Sequence, residues 1–296
     1  MTSFGGGLAR RALFLYNTRM RFVKYHGLGN DFVIVNAAEN PVTDWAVAAR
    51  RVCDRRFGIG ADGLVGVWPI DGENVKMRIF NADGSEAEMC GNVSRCVPLF
   101  WREKGLLTGT RLMLHTLAGP IITEIIDASK NLVCVDMGVP RLTRGEIPMR
   151  GNAEDRAIKV PVEAAGHTWV GTAVSMGNPH FVIFVPDLEK IDLPVAGPAL
   201  EKHPDFPRKT NVEFVQRLDP GTLRMRVWER GVGITQACGT GACATLVAAT
   251  LTGRTGTDAR IILDGGELHV SWRGREHVFM TGPAQKVFEG EYVEKV

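Results

Sequence analysis

The sequence predicts a duplicated α+β domain in which a sheet curls around one central α-helix, twice over. Three observations lead to this prediction. The chain has 296 residues, a length at which single hydrophobic cores stop growing and chains divide into two domains. Short blocks of sequence recur at one constant spacing, and each half carries one short apolar segment of helical length.

The repeat has an offset of 148 residues, which is the separation of Cys90 from Cys238. Three blocks recur in the same order: Met77–Phe80 with Met225–Trp228, Cys90-Gly91 with Cys238-Gly239, and Gly29-Asn30 with Gly177-Asn178. Common strand patterns explain alternating aliphatic residues, but not matched Cys-Gly and Gly-Asn pairs at one offset. We therefore interpret the chain as two copies of one domain, related by a pseudo-twofold axis.

The duplication divides the chain into four segments. Residues 1–19 contain arginines but no acidic residue, which is typical of a transit peptide or of a start codon placed too early. We expect these residues to form a disordered N-terminal extension. Residues 20–138 and 139–282 are the predicted N-terminal and C-terminal domains, and segment 283–296 is a candidate to pack with the first of them.

The elements follow from local patterns. Runs of β-branched and aromatic residues predict strands over 32–35, 64–68, 77–80, 131–135, 181–185 and 223–228. An apolar stripe at helical spacing predicts a surface helix over 43–56. Helices are predicted at 92–101 and at 242–251, and the second is apolar nearly all round. Because a helix that is apolar on every side is buried on every side, each of these two belongs inside a sheet.

Composition excludes several classes of protein. A net charge of +2 gives no basic field for nucleic acid. We see no apolar run that would cross a membrane. Six cysteines without a secretory signal are too sparse for a disulfide scaffold, so we expect a reducing cytoplasm. The seven histidines show no metal-ligand spacing, and we expect no metal.

Four of the cysteines are predicted to be core residues. They fall on the apolar stripe of the surface helix, inside the two central helices or on a strand, and they are Cys53, Cys96, Cys134 and Cys243. Buried cysteine is common in protein cores.

The remaining cysteines, Cys90 and Cys238, are the candidates for catalysis. Each precedes a Gly-containing helix start, Cys90-Gly91-Asn92 and Cys238-Gly239-Thr240. A helix N-terminus offers free N–H groups and a positive dipole end, so we expect a thiol there to shift toward the thiolate and to act as a base. The same N–H groups can hold a carboxylate.

A pseudo-twofold axis would bring the two helix starts face to face. Two thiols would then flank one ligand, so that one removes an α-proton and the other delivers a proton to the opposite face. This is the geometry that inverts a stereocentre. It also predicts that oxidation joins Cys90 and Cys238 in a disulfide.

Polar residues that differ between the copies are candidates for binding the ligand. Glu229 aligns with Asn81, and Arg230 follows it. An Arg beside a Glu can hold a carboxylate and an ammonium group together, although a surface ion pair is the alternative. Asn30, Asn178 and Asn211 are either ligand contacts or turn formers.

These residues occur in segments that resemble the diaminopimelate epimerase family. The resemblance runs from about Met20 to the C-terminus. Its segments are 24–32 (KYHGLGNDF), 78–86 (RIFNADGSE), 177–180 (GNPH), 210–212 (TNV), 229–231 (ERG) and 238–242 (CGTGA).

The resemblance implies a fold and a reaction. The family folds as two pseudo-twofold-related mixed β-barrels, each wrapped around a central helix, and is usually a homodimer. Its members interconvert LL-2,6-diaminopimelate and the meso form, in lysine and peptidoglycan precursor synthesis, without cofactor or metal.

It also implies roles for individual residues. Cys90 and Cys238 would be the two acid/base thiols, tuned by His180 and Glu229. The groups that bind the reacting carboxylate would be Gly91, Asn92, Gly239 and Thr240. The rest of the substrate would be held by Asn30, Asn81, Asn178, Asn211, Glu229 and Arg230.

The sequence departs from the family pattern at four positions. Val93 and Ser94 stand where a pair of small residues is usual, and Pro98 should bend the first central helix by removing one hydrogen bond. Gly63 replaces a glutamine that contacts substrate in some members.

Two other functions stay open on the sequence alone. A proline or hydroxyproline racemase would use the same two thiols but would need no clamp for a second amino-acid end. A redox or metal-binding module would use the thiols for a reversible disulfide or for zinc.

Overall fold

The computed structural model describes residues 18–294. In the first half the strands are β1 (Thr18–Gly27), β2 (Asn30–Asn36), β3 (Gly63–Pro69), β4 (Asn74–Asn81), β5 (Glu86–Ala87), β6 (Arg111–Thr116), β7 (Gly119–Asp127) and β8 (Leu132–Asp136). The helices of this half are α1 (Trp45–Val52) and α2 (Gly91–Glu103).

The second half repeats this order with additions. Its strands are β9 (Val160–Ala164), β10 (His167–Ser175), β11 (Pro179–Phe184), β12 (Asn211–Asp219), β13 (Thr222–Glu229), β14 (Gly233–Ile234), β15 (Asp258–Leu263), β16 (Gly266–Trp272), β17 (Val278–Pro283) and β18 (Gln285–Glu294). Its helices are α3 (Leu193–Glu201) and α4 (Gly239–Leu251).

The duplication is visible in the pairing of the strands. β2 and β3 run parallel with Phe32 opposite Gly63, and β11 and β12 run parallel with His180 opposite Asn211. A second parallel pair joins β4 to β6 in the first half, and β13 to β15 in the second. The two central helices start and end at the same offset of 148 residues, so the two copies share one backbone plan.

Each central helix is enclosed by the strands of its own copy. Helix α2 contacts β1, β2, β6, β7 and β8, and α4 contacts β10 to β13 and β15 to β17. Ten of the 13 residues of α4 are buried, which confirms the prediction from its apolar surface. The predicted fold class, a duplicated α+β domain with a helix inside each curled sheet, is confirmed. The boundaries of the two domains stay a prediction.

The two copies are joined through the sheet as well as through the helices. β17 pairs antiparallel with β8 of the first copy, with Met280 opposite Val135. The last strand, β18, pairs along the whole of β1. The polypeptide thus returns to the first copy with its last described strand. The strands of the two copies form one continuous sheet around the two central helices.

Two predicted boundaries were wrong. The surface helix was expected to reach residue 56 but ends at Val52, because the Asp54 carboxylate accepts hydrogen bonds from the N–H groups of Arg56 and Phe57 and turns the chain. The disordered extension was expected to reach residue 19, but Thr18 and Arg19 belong to β1, where Thr18 lies opposite Glu294. The rest of that prediction, residues 1–17, lies outside the described residues.

Of the four cysteines predicted to be core residues, three are fully confirmed as buried. Cys53, Cys96 and Cys243 are buried, and Cys134 is half-buried on β8. Within residues 18–294 no helix is both long and apolar enough to cross a membrane.

Candidate active site

Each of the two matched cysteines stands at the start of a central helix. Cys90 is the N-cap of α2 and Cys238 is the N-cap of α4, and both have an extended backbone. Gly241 donates its main-chain N–H to Cys238 Sγ at 3.4 Å. Because the first N–H groups of a helix have no partner within it, both positions suit a group that carries negative charge.

One side chain joins the two helix starts. Asn92, two residues after Cys90, donates from Nδ2 to the carbonyl oxygen of Ala237 at 3.0 Å, and Ala237 directly precedes Cys238. The same Nδ2 donates to Asn30 Oδ1 at 3.0 Å. The structure therefore brings the main chains of the two cysteines to one place between the copies.

The glycines after the cysteines permit this close approach. Met280 packs under both helix starts: a Cβ at Gly91 would lie 3.1 Å from its Cε, and a Cβ at Gly239 would lie 3.0 Å from its Sδ. A glycine also lets a ligand approach the main chain closely, because it has no side chain. The structure adds a second reason, because a Cβ at either position would require Met280 to shift by a few tenths of an ångström.

Asn30 lies beside Cys90. Its Oδ1 is 3.8 Å from Cys90 Sγ, and its Nδ2 donates to Asp62 Oδ2 at 2.8 Å. Asn30 is therefore held in place from two sides, by Asp62 and by Asn92, with its carbonyl oxygen directed at the first thiol.

A network of charged side chains supports Asn30 through Asp62. Arg55 donates to Asp31 with both Nη atoms, at 2.7 and 3.1 Å, and also to Asp62 Oδ1 at 2.7 Å. Burial works to raise the pKa of Asp31, but hydrogen bonds from Arg55 and Lys24 outweigh it and lower the pKa to about 2. Asp31 is thus ionised at neutral pH, and the network fixes the turn that carries Asn30.

Asn81 lies at the edge of the group. It is exposed at the end of β4, and its Nδ2 donates to Ser85 Oγ at 3.0 Å. The N–H of the next residue, Ala82, donates to the main-chain oxygen of Asp62. The strand end that carries Asn81 is therefore anchored to the residue that holds Asn30.

A chain of hydrogen bonds leads from a buried carboxylate to the second thiol. His180 Nδ1 lies 2.7 Å from Glu213 Oε1, and His180 Nε2 lies 3.0 Å from Asn178 Oδ1. Asn178 Nδ2 donates to Thr240 Oγ1 at 3.3 Å, and Thr240 Oγ1 lies 3.5 Å from Cys238 Sγ. His180 and Glu213 are both completely buried. Asn178 and Thr240 therefore connect His180 to Cys238.

Asn211 fixes the start of the turn that carries Arg230. Its Nδ2 donates to the carbonyl oxygen of Pro179 at 2.8 Å, and its Oδ1 accepts from the N–H of Arg230 at 2.9 Å. The Arg230 side chain is exposed and donates to the main-chain oxygen of Arg208 at 3.1 Å. Both the Nδ2 and the Oδ1 atom of Asn211 are thus used in hydrogen bonds within the protein. The exposed Arg230 guanidinium, in contrast, retains N–H groups for a ligand.

The other end of this turn is held by a carboxylate that the sequence did not single out. Glu201, at the end of α3, accepts from Trp228 Nε1 at 2.8 Å and from the N–H of Gly231 at 3.0 Å. Between these two anchors, Glu229 accepts a hydrogen bond from the hydroxyl of Thr235. Burial raises the pKa of Glu229.

Burial also raises the pKa of both candidate thiols, which corrects the expected shift toward the thiolate. At Cys90 the N–H groups of Val93 and Asn92 lower the pKa, as expected at a helix start, but burial outweighs them. At Cys238 the carboxylates of Glu229 and Glu213 add to the effect of burial. Desolvation disfavours the charged form of a thiol, and here it exceeds the contribution of the helix N-terminus.

The structure therefore assembles most of the predicted residues around the two helix starts. This group contains the residues at the two helix starts and those joined to them by hydrogen bonds. They are Asn30, Cys90, Gly91, Asn92, Asn178, His180, Cys238, Gly239 and Thr240. Asn81, Asn211, Glu229 and Arg230 lie on the strand ends and the turn around them.

Sequence reasoning missed four polar residues that support this group: Asp62, Arg95, Glu201 and Glu213. Two of them carried a signal. Glu213 interrupts the apolar run of β12, and Arg95 interrupts the apolar helix α2, and charged residues are almost never fully buried without a function or a partner.

Comparison with known proteins identifies the family. The sequence profile described as "Diaminopimelate epimerase" matches residues 22–143 and 172–287. A protein named "Diaminopimelate epimerase" from Pelotomaculum thermopropionicum is 52% identical over 277 residues, which cover 92% of this chain and 99% of that one. Another of that name, from Desulforudis audaxviator, is 53% identical and covers 93% of this chain and 99% of its own.

The chain belongs to the diaminopimelate epimerase family.

Solved structures with low sequence identity share its fold. A phenazine biosynthesis protein of the PhzF family from Bacillus anthracis superposes with a TM-score of 0.67 over 93% of this chain and 99% of its own, at 16% identity. A hydroxyproline epimerase from Agrobacterium vitis superposes with a TM-score of 0.66 over 95% of this chain and 94% of its own, also at 16% identity. These likenesses show the two-copy fold alone.

The departures from the diaminopimelate epimerase pattern are accommodated locally. Val93 and Ser94 are completely buried, and Ser94 Oγ donates to the carbonyl oxygen of Cys90 at 2.9 Å. Helix α2 continues past Pro98 to Glu103. At Gly63 a Cβ would lie 3.1 Å from the Phe80 carbonyl oxygen and 3.3 Å from Phe32 Cδ1, so a larger side chain there would require its neighbours to move.

Gly241 provides a test of the packing around Cys238. A Cβ at this position would lie 2.7 Å from Glu213 Oε1 and 3.2 Å from Cys238 Sγ. We expect Gly241→Ala to displace the thiol and to reduce kcat/KM by about tenfold or more, since small displacements of reacting groups are costly. The measurement is the initial rate of epimerisation of diaminopimelate.

Gly256→Ala is the matched control, because a Cβ there meets nothing within 4 Å. Equal rates for the Gly241→Ala and wild-type proteins would show that the carboxylate and the thiol do not crowd this position.

Proposed function

We propose that the protein interconverts LL-2,6-diaminopimelate and meso-diaminopimelate by proton transfer between Cys90 and Cys238. The observation that carries the proposal is the meeting of two helix starts, one from each copy, with a thiol at each N-cap. Membership of the diaminopimelate epimerase family supports the choice of substrate. The product would serve lysine and peptidoglycan precursor synthesis.

The reacting amino-acid end would bind at the helix starts. Gly91, Asn92, Gly239 and Thr240 would present main-chain N–H groups to the α-carboxylate. The positive ends of two helices would then face one anion, and they would stabilise the negative charge that develops at the α-carbon as the proton leaves.

Inversion needs two groups on opposite faces of the α-carbon. One cysteine, as the thiolate, would remove the α-proton, and the other, as the thiol, would deliver a proton to the opposite face. The two sulfur atoms exchange protonation states in the process, so charge and protons balance. The raised pKa of both thiols makes each thiolate a strong base once it forms. Neither a metal nor a cofactor has a place in this scheme.

The distal amino-acid end would bind away from the helix starts. Arg230 would hold its carboxylate and Glu229 its ammonium group, while the amide side chains of Asn30, Asn81, Asn178 and Asn211 would line the space between the two ends. His180 and Glu229 would tune the thiols. Exposure of Arg230 and its fixed main chain support this assignment.

We also propose a cytoplasmic homodimer. The six free cysteines suit a reducing compartment, and the family resemblance supports the dimer. Light scattering of the purified protein measures its mass in solution, and the mass of a monomer would contradict the dimer.

The roles of the cysteines can be tested by deuterium incorporation. Reduced protein incubated with LL-diaminopimelate in deuterated water should produce meso-diaminopimelate with deuterium at the inverted α-carbon, read by mass spectrometry. Cys90→Ala and Cys238→Ala should each abolish this product, because each removes one of the two proton-transfer groups. Cys134→Ala, which changes a half-buried cysteine on β8, is the control and should behave as wild type. Labelled product from either active-site variant would contradict the two-thiol mechanism.

Arg230→Met separates the proposed substrate from proline-like substrates. A bifunctional substrate loses a charged hydrogen bond to its second carboxylate, and we expect kcat/KM for diaminopimelate to fall by about 10- to 100-fold, as for an interaction of roughly 1.5–3 kcal/mol. Arg217→Met, at the exposed end of β12, should leave the rate unchanged. If Arg230→Met had no effect, while proline or hydroxyproline were racemised, the alternative racemase function would be favoured.

A further inference from the structure

The two copies differ in the charge that they bury beneath their helix starts. At the offset of 148, Arg95 in the first copy corresponds to Cys243 in the second. Glu213 in the second copy corresponds to Val65 in the first. Both charged side chains are completely buried. Each copy therefore buries a charged residue where the other copy has an uncharged one, and the two buried charges have opposite signs.

Arg95 is a buried cation that is held by neutral acceptors. Its Nη1 donates to the carbonyl oxygen of Gly91, its Nη2 to Asn92 Oδ1 and its Nε to the carbonyl oxygen of Pro283, each at 3.2 Å. Across the described part of the chain, no carboxylate forms an ion pair with it. A guanidinium stays protonated in proteins, so a full positive charge lies against Gly91, the residue that follows Cys90, without a carboxylate to neutralise it.

Glu213 is a buried carboxylate directed at the second helix start. One oxygen, Oε1, contacts His180, and the other, Oε2, is buried with no hydrogen-bond partner among residues 18–294. Oε1 and Cys238 Sγ both lie next to the position that a Cβ of Gly241 would occupy, at 2.7 and 3.2 Å. Only the absence of a side chain at Gly241 leaves room for both groups.

The histidine beside Glu213 has a defined role in this arrangement. Because Asn178 donates from Nδ2 to Thr240, its Oδ1 accepts, and His180 Nε2 must carry a hydrogen. The other ring nitrogen, Nδ1, faces Glu213 Oε1 at 2.7 Å.

We propose that Arg95 and Glu213 bias the two thiols in opposite directions, so that Cys90 gives up its proton more readily than Cys238. Neither residue touches the reacting atoms, so both are positioning residues. The roles of the thiols rest on the proposed function, whereas the difference between the thiols rests on the two buried charges.

The other charge near both thiols acts in one direction. Glu229 raises the pKa of both cysteines, so it does not shift them in opposite directions. Arg95 lowers the pKa of Cys90, and Glu213 raises that of Cys238.

When one of the two thiols ionises, the bias places the thiolate at Cys90. An isomer whose α-hydrogen faces Cys90 would meet the thiolate directly, and the proton from Cys238 would go to the opposite face. Afterwards Cys90 is the thiol and Cys238 the thiolate, the state that the buried charges disfavour. The protein then returns to the favoured state by releasing a proton from Cys90 and taking one up at Cys238.

The pH dependence of thiol alkylation tests the proposal. Cys238→Ser leaves Cys90 as the reacting thiol of the pair, and Cys90→Ser leaves Cys238. Each reduced protein is treated with iodoacetamide over a range of pH, and modification of the remaining cysteine is followed by mass spectrometry of its peptide. We expect Cys90 to react with a lower pH midpoint than Cys238.

Substitutions of Arg95 and Glu213 test whether these buried charges cause the difference between the two pH midpoints. In the Cys238→Ser background, Arg95→Met should raise the midpoint of Cys90 by about one pH unit or more, and Arg95→Lys should restore much of it. In the Cys90→Ser background, Glu213→Gln should lower the midpoint of Cys238. The Arg217→Met change, on the exposed end of β12, should leave both midpoints unchanged.

Several outcomes would overturn the proposal. These are a lower midpoint for Cys238 than for Cys90, a folded Arg95→Met variant with an unchanged Cys90 midpoint, or an unchanged Cys238 midpoint in Glu213→Gln. If Arg95→Met fails to fold, Glu213→Gln decides alone, because it keeps the shape of the side chain. The measurement reads ionisation rather than epimerisation, so it can succeed or fail independently of the proposed substrate.

Discussion

The hydrogen bond from Asn92 to the carbonyl oxygen of Ala237 is the interaction on which the site depends. It crosses from the first copy to the second and ties together the two helix starts. The same amide donates to Asn30, a substrate-binding candidate, and accepts from Arg95, a buried cation. A single buried side chain therefore holds both of these residues and also joins the two copies. Loss of this amide would leave several buried polar groups without partners, at about 1–3 kcal/mol each.

Duplication and divergence contribute different things to this site. The shared backbone plan gives two helices of the same length, each with a cysteine at its N-cap, and so supplies two like groups to one place. The side chains around them then diverged, with Arg95 under one helix and Glu213 under the other. A symmetric frame is what inversion of a stereocentre needs, and an asymmetric set of charges is what allows the two thiols to differ.

Much of the fold could be predicted from the sequence, because the repeat fixes which segments correspond and the all-apolar helix 242–251 must lie inside a sheet. The paired cysteines were found for the same reason. The short surface helix was misjudged since Asp54 ends it with side-chain hydrogen bonds that hydrophobic periodicity does not report. The thiol pKa was misjudged because burial, a tertiary property, outweighs the helix N-terminus. Glu201 was missed because its partners, Trp228 and Gly231, are distant in sequence and meet it only in the folded chain.

The central claim is that Cys90 and Cys238 face each other across one ligand site, and controlled oxidation tests it most directly. Reduced protein is treated with oxidised dithiothreitol or diamide, digested without reduction and examined by mass spectrometry. The account predicts one intramolecular disulfide between Cys90 and Cys238, formed with the loss of two hydrogen atoms to the oxidant, together with loss of epimerisation that dithiothreitol reverses. Oxidised protein that remains fully active, with Cys90 and Cys238 both still open to alkylation, would contradict the facing geometry.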